Sequence, residues 1–221
     1  MWRVKVCGLT KWSDAFASAI EEADACGWIL EPSSARFVGA KPWYLVRSLG
    51  GVSMVGVMGD YRAGLSVDVL RLFQVVQAFG SDQGIGKPWM PVFRPQEGMA
   101  VEEWLAETQG WDWCLLDPFH AGMAGGTGET IDWDLAARFV KEFSGKVILA
   151  GGLGPENVRE AIGVVKPFGV DASSRLEVSP GVKDLDKVGE YVREAWAGLI
   201  EAHGRSQQDL WDEAAVFRNK W

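Results

Sequence analysis

Short apolar runs rich in β-branched and aromatic residues recur along the chain, roughly every 25 residues. They predict eight strands, at residues 4–6, 28–30, 52–58, 73–76, 89–93, 113–116, 147–150 and 168–170. Apolar residues at helical spacing lie between most of these runs, for example after Ser13 and after Asp132, and each of these two polar residues suits a helix N-cap. Because strands that alternate with helices form parallel sheets, the pattern indicates an α/β fold.

Eight strand–helix units in about 200 residues are typical of a small (β/α)8 TIM barrel, whereas an open doubly wound sheet needs fewer strands. We therefore predict a single barrel domain over residues 1–204. Residues 205–221 form a C-terminal extension, in which apolar residues recur at helical spacing at Leu210, Ala214, Phe217 and Trp221. This spacing predicts a short amphipathic helix whose apolar face docks either on the barrel or on a partner.

The composition is that of a folded domain with one large core. The chain has 221 residues, 48% of them hydrophobic, and a formal net charge of -8. This charge, without a long Lys/Arg run, argues against nucleic acid or a membrane surface as a partner. No apolar run approaches the ~20 residues of a membrane span and the first residues lack a signal-peptide core, so we expect a cytoplasmic protein. The three cysteines lack a C-x-x-C pair and are expected to be free thiols.

Candidate catalytic residues are sought after each strand, because active sites of TIM barrels lie at the carboxyl ends of the strands. Cys7 follows the first strand. Val4 and Val6 suit the side that faces the helices, so Lys5 and Cys7 face the barrel interior. Strand eight adjoins strand one in a closed barrel, and Asp171 is therefore a plausible counter-ion for a buried Lys5. Taken alone, Cys7 also fits an inert core cysteine.

A phosphate site is predicted after strands seven and eight. Gly151 and Gly152 follow the seventh strand, and Pro155 suits the first position of the next helix. Glycine-rich backbone and a helix N-terminus present N–H groups to an anion, and Ser173 and Ser174 supply two more donors. The alternative interpretation is that these glycines only turn the chain.

An acid and a cation complete the set of candidates. Asp117 closes the apolar sixth strand and precedes a glycine-rich loop, where a carboxylate suits a general acid or, alternatively, a loop cap. Arg36, after the second strand, can hold a carboxylate as a bidentate fork, unless it is simply solvated. His120 and His203 form no ligand pattern, so we predict no metal site.

These segments together resemble a known family. The opening V-K-V-C-G-L-T, residues 4–10, resembles the V-K-[IV]-C-G-[IL]-T opening of the phosphoribosylanthranilate isomerases. Four later segments match in order: 32–38 (P-x-S-x-R), 115–133 (L-L-D, G-G-[ST]-G and D-W), 150–158 (G-G-L-x-P-E-N-V) and 171–177 (D-x-S-S-G-x-E). The match extends from residue 3 to about residue 200, and the combination is far more specific than any one motif.

The resemblance implies an Amadori rearrangement of N-(5-phosphoribosyl)anthranilate in tryptophan biosynthesis, without a cofactor or a metal. By this resemblance, Asp117 protonates the ribose ring oxygen and Cys7 removes the C2 proton. Arg36 holds the anthranilate carboxylate. Asp171 orients the sugar or pairs with Lys5. By the same resemblance, the phosphate is bound by Gly151, Gly152, Ser173 and Ser174. The implied partner is a small phosphosugar, and the implied assembly is a monomer or a homodimer.

Three departures from the family pattern leave other functions open. Arg175 replaces a glycine directly after the two serines, Phe79 replaces a histidine, and Glu129 stands where a lysine is frequent. If position 175 is left-handed, arginine strains the backbone and crowds the phosphate; alternatively its guanidinium binds the phosphate, and we count it among the substrate-binding residues. The last two replacements lose positive charge, but the isomerase remains the leading hypothesis. One rival is a paralogue for another phosphosugar or aminated ribose, and the other is a non-catalytic barrel that binds a phosphorylated or aromatic ligand or a partner. The retained Cys7 and Asp117 argue against the second rival.

Overall fold

Eight parallel strands close into a barrel in chain order, with β8 beside β1. The computed structural model describes residues 1–39, 50–59, 69, 72–79, 87–118 and 131–218. The strands are β1 (Val4–Val6), β2 (Ala25–Ile29), β3 (Ser53–Val57), β4 (Val75–Phe79), β5 (Trp89–Phe93), β6 (Trp113–Leu116), β7 (Lys146–Leu149) and β8 (Gly169–Ala172). The predicted α/β barrel is confirmed.

Helices surround the barrel, and a small hairpin follows its last strand. The helices of the described residues are α1 (Trp12–Ile20), α2 (Val101–Glu107), α3 (Trp133–Glu142), α4 (Val158–Val165), α5 (Leu185–His203) and α6 (Gln207–Arg218). After β8 comes a 3-10 turn, Ser174–Leu176, and then an antiparallel hairpin of β9 (Glu177–Ser179) and β10 (Val182–Lys183). This hairpin lies between the last barrel strand and α5.

Three strands differ from the sequence prediction by two or more residues at one end or both, while β3 and β7 differ by one residue at each end. β2 begins at Ala25 and not at residue 28, β4 occupies residues 75–79 and not 73–76, and β8 ends at Ala172 and not at residue 170. The hydrophobic pattern misplaced the ends of these three strands, because backbone pairing with the neighbouring strands decides where a strand begins and ends. Ala25 pairs with both β1 and β3, and Ala172 pairs with Val6.

One helix cap was predicted correctly, and two other helix starts were not. Asp132 caps α3, since its side chain accepts hydrogen bonds from the N–H groups of residues 134 and 135. Ser13 is not the cap of α1, because the helix begins at Trp12 and the Ser13 hydroxyl bonds to Asp14. Pro155 belongs to a turn, and α4 begins three residues later at Val158.

Side chains alternate between two apolar layers. Val4 and Val6 belong to the layer between the strands and the helices, whereas Val55, Leu115 and Ile148 belong to the layer inside the barrel. This alternation follows from the period of two along a strand. It directs the side chain of the residue between the two valines, Lys5, into the barrel, where it is fully buried.

The C-terminal helix docks on the chain's own barrel. Leu210 and Ala214 are fully buried, the Leu210 carbonyl accepts a hydrogen bond from Arg3 Nε, and the N-terminal amino group donates to the Ala214 carbonyl. The predicted apolar face therefore covers the end of the barrel where β1 begins. The side chains of Phe217 and Trp221 lie outside the described residues. None of the described helices is long and apolar enough to span a bilayer.

Candidate active site

A cavity of about 370 Å³ opens at the carboxyl ends of the strands. It gathers most of the site residues predicted from the sequence, from elements far apart in the chain: Cys7, Arg36, Asp117, Gly151, Gly152, Asp171, Ser173 and Ser174. Arg175 is not among the residues that line it. The closed barrel brings these residues together, because all eight parallel strands end at the same rim.

The floor of the cavity is a buried charge network. Lys5 Nζ lies 2.7 Å from Asp171 Oδ2 and donates to Gln77 Oε1 at 3.0 Å. The parallel register of β1 and β8 sets Lys5 beside Asp171, so the counter-ion expected from barrel closure is present. Burial lowers the pKa of Lys5, but Asp171 and the Cys7 thiolate together outweigh burial and leave that pKa raised. The lysine is therefore held as a cation below the cavity.

Cys7 borders both the cavity and this network. Its thiol is buried, and burial raises its pKa, while the positive charge of Lys5 opposes the rise. Gly27 on β2 makes the room, since a Cβ added there would lie 2.7 Å from Cys7 Sγ and 2.9 Å from Lys5 Cε. Cys26 and Cys114 instead pack between strands and helices, where burial raises the pKa of Cys26 to about 12.

Arg36 is held by a partner that the sequence reasoning missed. Its Nε and Nη2 lie 2.8 Å and 2.7 Å from the two oxygens of Glu177, so this edge of the guanidinium is occupied by a protein carboxylate. The Nε edge of the fork predicted for a substrate carboxylate is thus already bonded to Glu177, and the role of Arg36 in substrate binding stays a prediction. Gly8, with φ +72°, is packed against Arg36, because a Cβ added there would lie 2.7 Å from Arg36 Cδ and 2.6 Å from Ser173 Oγ.

Asp117 also has a partner that the sequence reasoning missed. Arg94, directly after β5, donates from Nε at 3.0 Å and from Nη2 at 2.7 Å to Asp117 Oδ2. The Arg94 guanidinium lies over the Phe79 ring, 4.4 Å from its centroid. Phe79 thus supports a cation at the position where the family carries histidine. The positive charge that we expected to be lost there is supplied by Arg94.

The glycine-rich loop after β7 has structural reasons for its glycines. Gly151 and Gly152 have positive φ, and a Cβ on Gly151 would lie 1.9 Å from Pro118 Cδ. Asn157 braces the loop, because its Nδ2 donates to the Gly152 carbonyl at 2.9 Å and its Oδ1 accepts from the Gly154 N–H at 2.8 Å. The Gly154 N–H is therefore already used within the protein.

Two buried oxygens of the cavity have no hydrogen-bond partner among the residues that the structure describes. These atoms are Asp171 Oδ1 and Ser173 Oγ. Buried polar atoms are nearly always paired, so these two are candidates to bind a polar ligand or water. Asp171 Oδ1 accepts and Ser173 Oγ can donate, which suits a ligand that carries hydroxyl and anionic groups.

Arg175 is one of three departures from the family pattern. It does not have positive φ, so the backbone strain considered for it is absent, and its guanidinium pairs with Glu156. Glu129 and the glycine-rich loop at 121–128 lie outside the described residues.

The sequence reasoning gave no role to three residues of the site and its surroundings: Arg94, Glu177 and Lys183. Arg94 follows a strand as Cys7 and Asp117 do, so the same rule would have found it. Glu177 is the last residue of the segment that resembles D-x-S-S-G-x-E, but it was given no role, and Lys183 gave no signal, because both lie on the hairpin outside the barrel. Within the described part of the chain, no group of three or more His, Cys, Asp or Glu residues is arranged to hold a metal ion.

Comparison with known proteins identifies the family. The family model described as N-(5'-phosphoribosyl)anthranilate (PRA) isomerase matches residues 4–194. The N-(5'-phosphoribosyl)anthranilate isomerase of Aquifex aeolicus is 37% identical over 205 residues, which is 87% of this chain and 98% of that protein.

Solved structures agree. The phosphoribosyl anthranilate isomerase of Thermotoga maritima has a TM-score of 0.76 at 30% identity, over 89% of this chain and 100% of that one. A phosphoribosyl anthranilate isomerase in complex with reduced 1-(o-carboxyphenylamino)-1-deoxyribulose 5-phosphate has a TM-score of 0.73 at 30% identity, with the same coverage. The chain belongs to the N-(5'-phosphoribosyl)anthranilate isomerase family.

Proposed function

We propose that this protein is the isomerase that converts N-(5-phosphoribosyl)anthranilate to 1-(2-carboxyphenylamino)-1-deoxyribulose 5-phosphate in tryptophan biosynthesis, with Asp117 as its acid and Cys7 as its base. The observation that carries the proposal is one cavity that holds both residues together with two buried oxygens that have no partner among the described residues. An acid and a base that line one cavity are what an aldose–ketose rearrangement requires, and a binding protein needs neither.

The proposed reaction moves protons only. Asp117 gives a proton to the ribose ring oxygen as the bond from C1 to that oxygen breaks, which leaves a protonated Schiff base between C1 and the anthranilate nitrogen. Cys7 then takes the C2 proton, and the electrons of that C–H bond form the C1–C2 double bond of an enol amine. Tautomerisation gives the C2 ketone, so C1 is reduced as C2 is oxidised and no outside electron carrier takes part.

The surroundings of Cys7 suit the removal of a C2 proton that the Schiff base has already made more acidic. The raised pKa makes the thiolate a stronger base, while Lys5 limits how rare the thiolate becomes. Asp171 lies at the floor with one oxygen bonded to Lys5 and the other without a partner among the described residues, as expected if it orients the sugar. Arg36 and the loops of Gly152 and Ser173 are proposed to hold the carboxylate and the phosphate.

The test follows the fall of anthranilate-type fluorescence when the substrate, generated in place, meets the protein. We expect turnover by the wild type and a loss of about 100-fold or more in Cys7→Ser and in Asp117→Asn. Cys114→Ser is the matched control, because that thiol is buried away from the cavity. A folded wild type without turnover would refute the proposal and direct the search to other phosphosugars. Full activity in Cys7→Ser or Asp117→Asn would refute the assigned roles.

A further inference from the structure

The hairpin after β8 carries a buried cluster of three charges. Lys183 is paired with Glu177 across the hairpin, and Glu177 in turn holds Arg36. The side chains of Lys183, Glu177 and Arg36 are 0%, 3% and 12% exposed. Lys183 and Glu177 are not among the residues that line the cavity, whereas Arg36 is. The first two therefore act on a ligand only through their neighbours.

Stability gives little reason for such a cluster. Moving charges out of water costs several kcal/mol per ion, and apolar side chains of similar volume often serve equally well or better. The hydrogen bonds are nonetheless well formed: Lys183 Nζ donates to Glu177 Oε1 and to the Ser173 carbonyl, each at 2.9 Å. Thr10 ties the turn of the hairpin to the loop after β1, donating to the Gly181 carbonyl at 2.6 Å.

The hydrogen bonds form a continuous path between two parts of the cavity. The path starts at the Ser173 backbone, passes through Lys183 and Glu177, and ends at the Arg36 guanidinium. Ser173 lies on the loop proposed for the phosphate, and Arg36 is the residue proposed for the carboxylate. One small hairpin therefore fixes the separation between the two anion sites.

The sum of the charges matters as much as the positions. Glu177 alone would neutralise Arg36, and the pair would present no net charge to an incoming carboxylate. Lys183 donates to the same carboxylate. Burial lowers the pKa of Lys183 and the charge of Glu177 opposes that fall, and the protonated lysine gives the cluster two cations and one anion. Burial raises the pKa of Glu177, but the hydrogen bonds of Arg36 and the charge of Lys183 outweigh burial and lower it, which keeps Glu177 ionised. The remaining positive charge is directed to the cavity through Arg36.

We propose that Lys183 and Glu177 are positioning residues that set the specificity of the site: they hold Arg36 and the Ser173 loop at a fixed separation and leave one positive charge for a ligand carboxylate. This inference rests on the proposed function, because it takes the substrate to carry a carboxylate at one end and a phosphate at the other. It adds two residues outside the cavity to those that select the substrate.

The experiment compares two ligands by calorimetric titration. One is reduced 1-(o-carboxyphenylamino)-1-deoxyribulose 5-phosphate, and the other is its counterpart made from aniline, which lacks the carboxylate. Lys183→Met removes the charge and the donor, Lys183→Gln keeps a donor without the charge, and Lys183→Arg restores the charge. Lys187→Met, on the exposed first turn of α5, is the matched control.

We expect Lys183→Met and Lys183→Gln to lower the affinity for the carboxylated ligand about tenfold, and the affinity for the aniline counterpart by less than about threefold. Lys183→Arg should restore most of the affinity, and Lys187→Met should leave both ligands unchanged. If Lys183→Met does not fold, as thermal melting will show, Lys183→Gln gives the same comparison.

An equal loss of affinity for both ligands would overturn the inference, because the loss of a merely structural lysine would weaken the binding of both ligands by the same factor. Unchanged affinity for the carboxylated ligand would overturn it as well. Both results would leave the proposed function intact, since the wild type still binds and turns over its substrate. A wild type that binds neither ligand would instead refute the proposed function, together with this inference.

Discussion

Replacing Gly8 with alanine tests whether the loop after β1 positions both ends of the site. The added Cβ would lie 2.7 Å from Arg36 Cδ and 2.6 Å from Ser173 Oγ. Carbon atoms in contact prefer about 3.5 Å or more, so Arg36 and Ser173 each have to withdraw by nearly 1 Å. A misplacement of this size costs roughly 100-fold in rate. We therefore expect kcat/KM of Gly8→Ala to fall by about that factor.

The backbone strain of this substitution has its own control. Gly8 has φ +72°, and alanine there costs about 1–2 kcal/mol of stability whatever the space around it. Gly110 has φ +83°, and no atom of the described residues lies within 4 Å of a Cβ added there, so Gly110→Ala carries the strain without the collision. Urea unfolding should show a similar loss in both variants, while only Gly8→Ala loses activity. A Gly8→Ala enzyme as active as Gly110→Ala would refute the reasoning.

Three further predictions concern residues around the barrel. Arg94→Met removes two charge-assisted hydrogen bonds from Asp117, and steady-state kinetics should show kcat reduced about 10- to 100-fold with a smaller change in KM. Leu210→Ala should lower the unfolding free energy by about 2–5 kcal/mol in urea, because this side chain is fully buried on the barrel. Burial lowers the pKa of His203, so the unfolded chain binds a proton first as the pH falls. Stability should therefore decline as the pH drops below about 6.5, and His203→Gln should remove that slope in denaturant titrations.

Each of these predictions has an outcome that contradicts it. Arg94→Met with unchanged kcat would show that Asp117 needs no positioning by Arg94. Gln208→Ala, on an exposed face of α6, is the control for Leu210→Ala and should change stability by less than about 0.5 kcal/mol. Equal losses in the two variants would argue against docking of α6 through Leu210. A His203→Gln protein that keeps the wild-type slope would assign the pH dependence to another group.

The local sequence pattern was sufficient to predict those site residues that lie at the ends of barrel strands. Cys7 and Asp117 end strands, so their meeting at one rim followed from predicting a closed parallel barrel. The ion pair of Lys5 and Asp171 followed from alternation along β1 together with closure of β8 onto β1. The amphipathic spacing of Leu210 and Ala214 predicted a buried helix face, although the sequence left open whether the barrel or a partner covers it.

Local pattern failed where a residue's role depends on what approaches it from a distant part of the chain. Arg36 was predicted to reserve its fork for the substrate, but Glu177, 141 residues away, occupies the Nε edge. Phe79 was interpreted as a loss of positive charge, yet Arg94 stacks on its ring. Gly27 gave no signal at all, because the need for glycine arises only when Lys5 and Cys7 pack against it.

The sequence by itself therefore determined the barrel, the family and the ends of the strands at which the proposed acid and base lie. These follow from periodicity and from motifs whose residues are neighbours along the chain. The tertiary structure alone decided the partners of those residues: Glu177 and Lys183 behind Arg36, Arg94 beside Asp117, and α6 over the end of the barrel where β1 begins. The physical reason is that hydrogen bonds and ion pairs form over about 3 Å in space, and separation along the chain places almost no limit on which residues come that close.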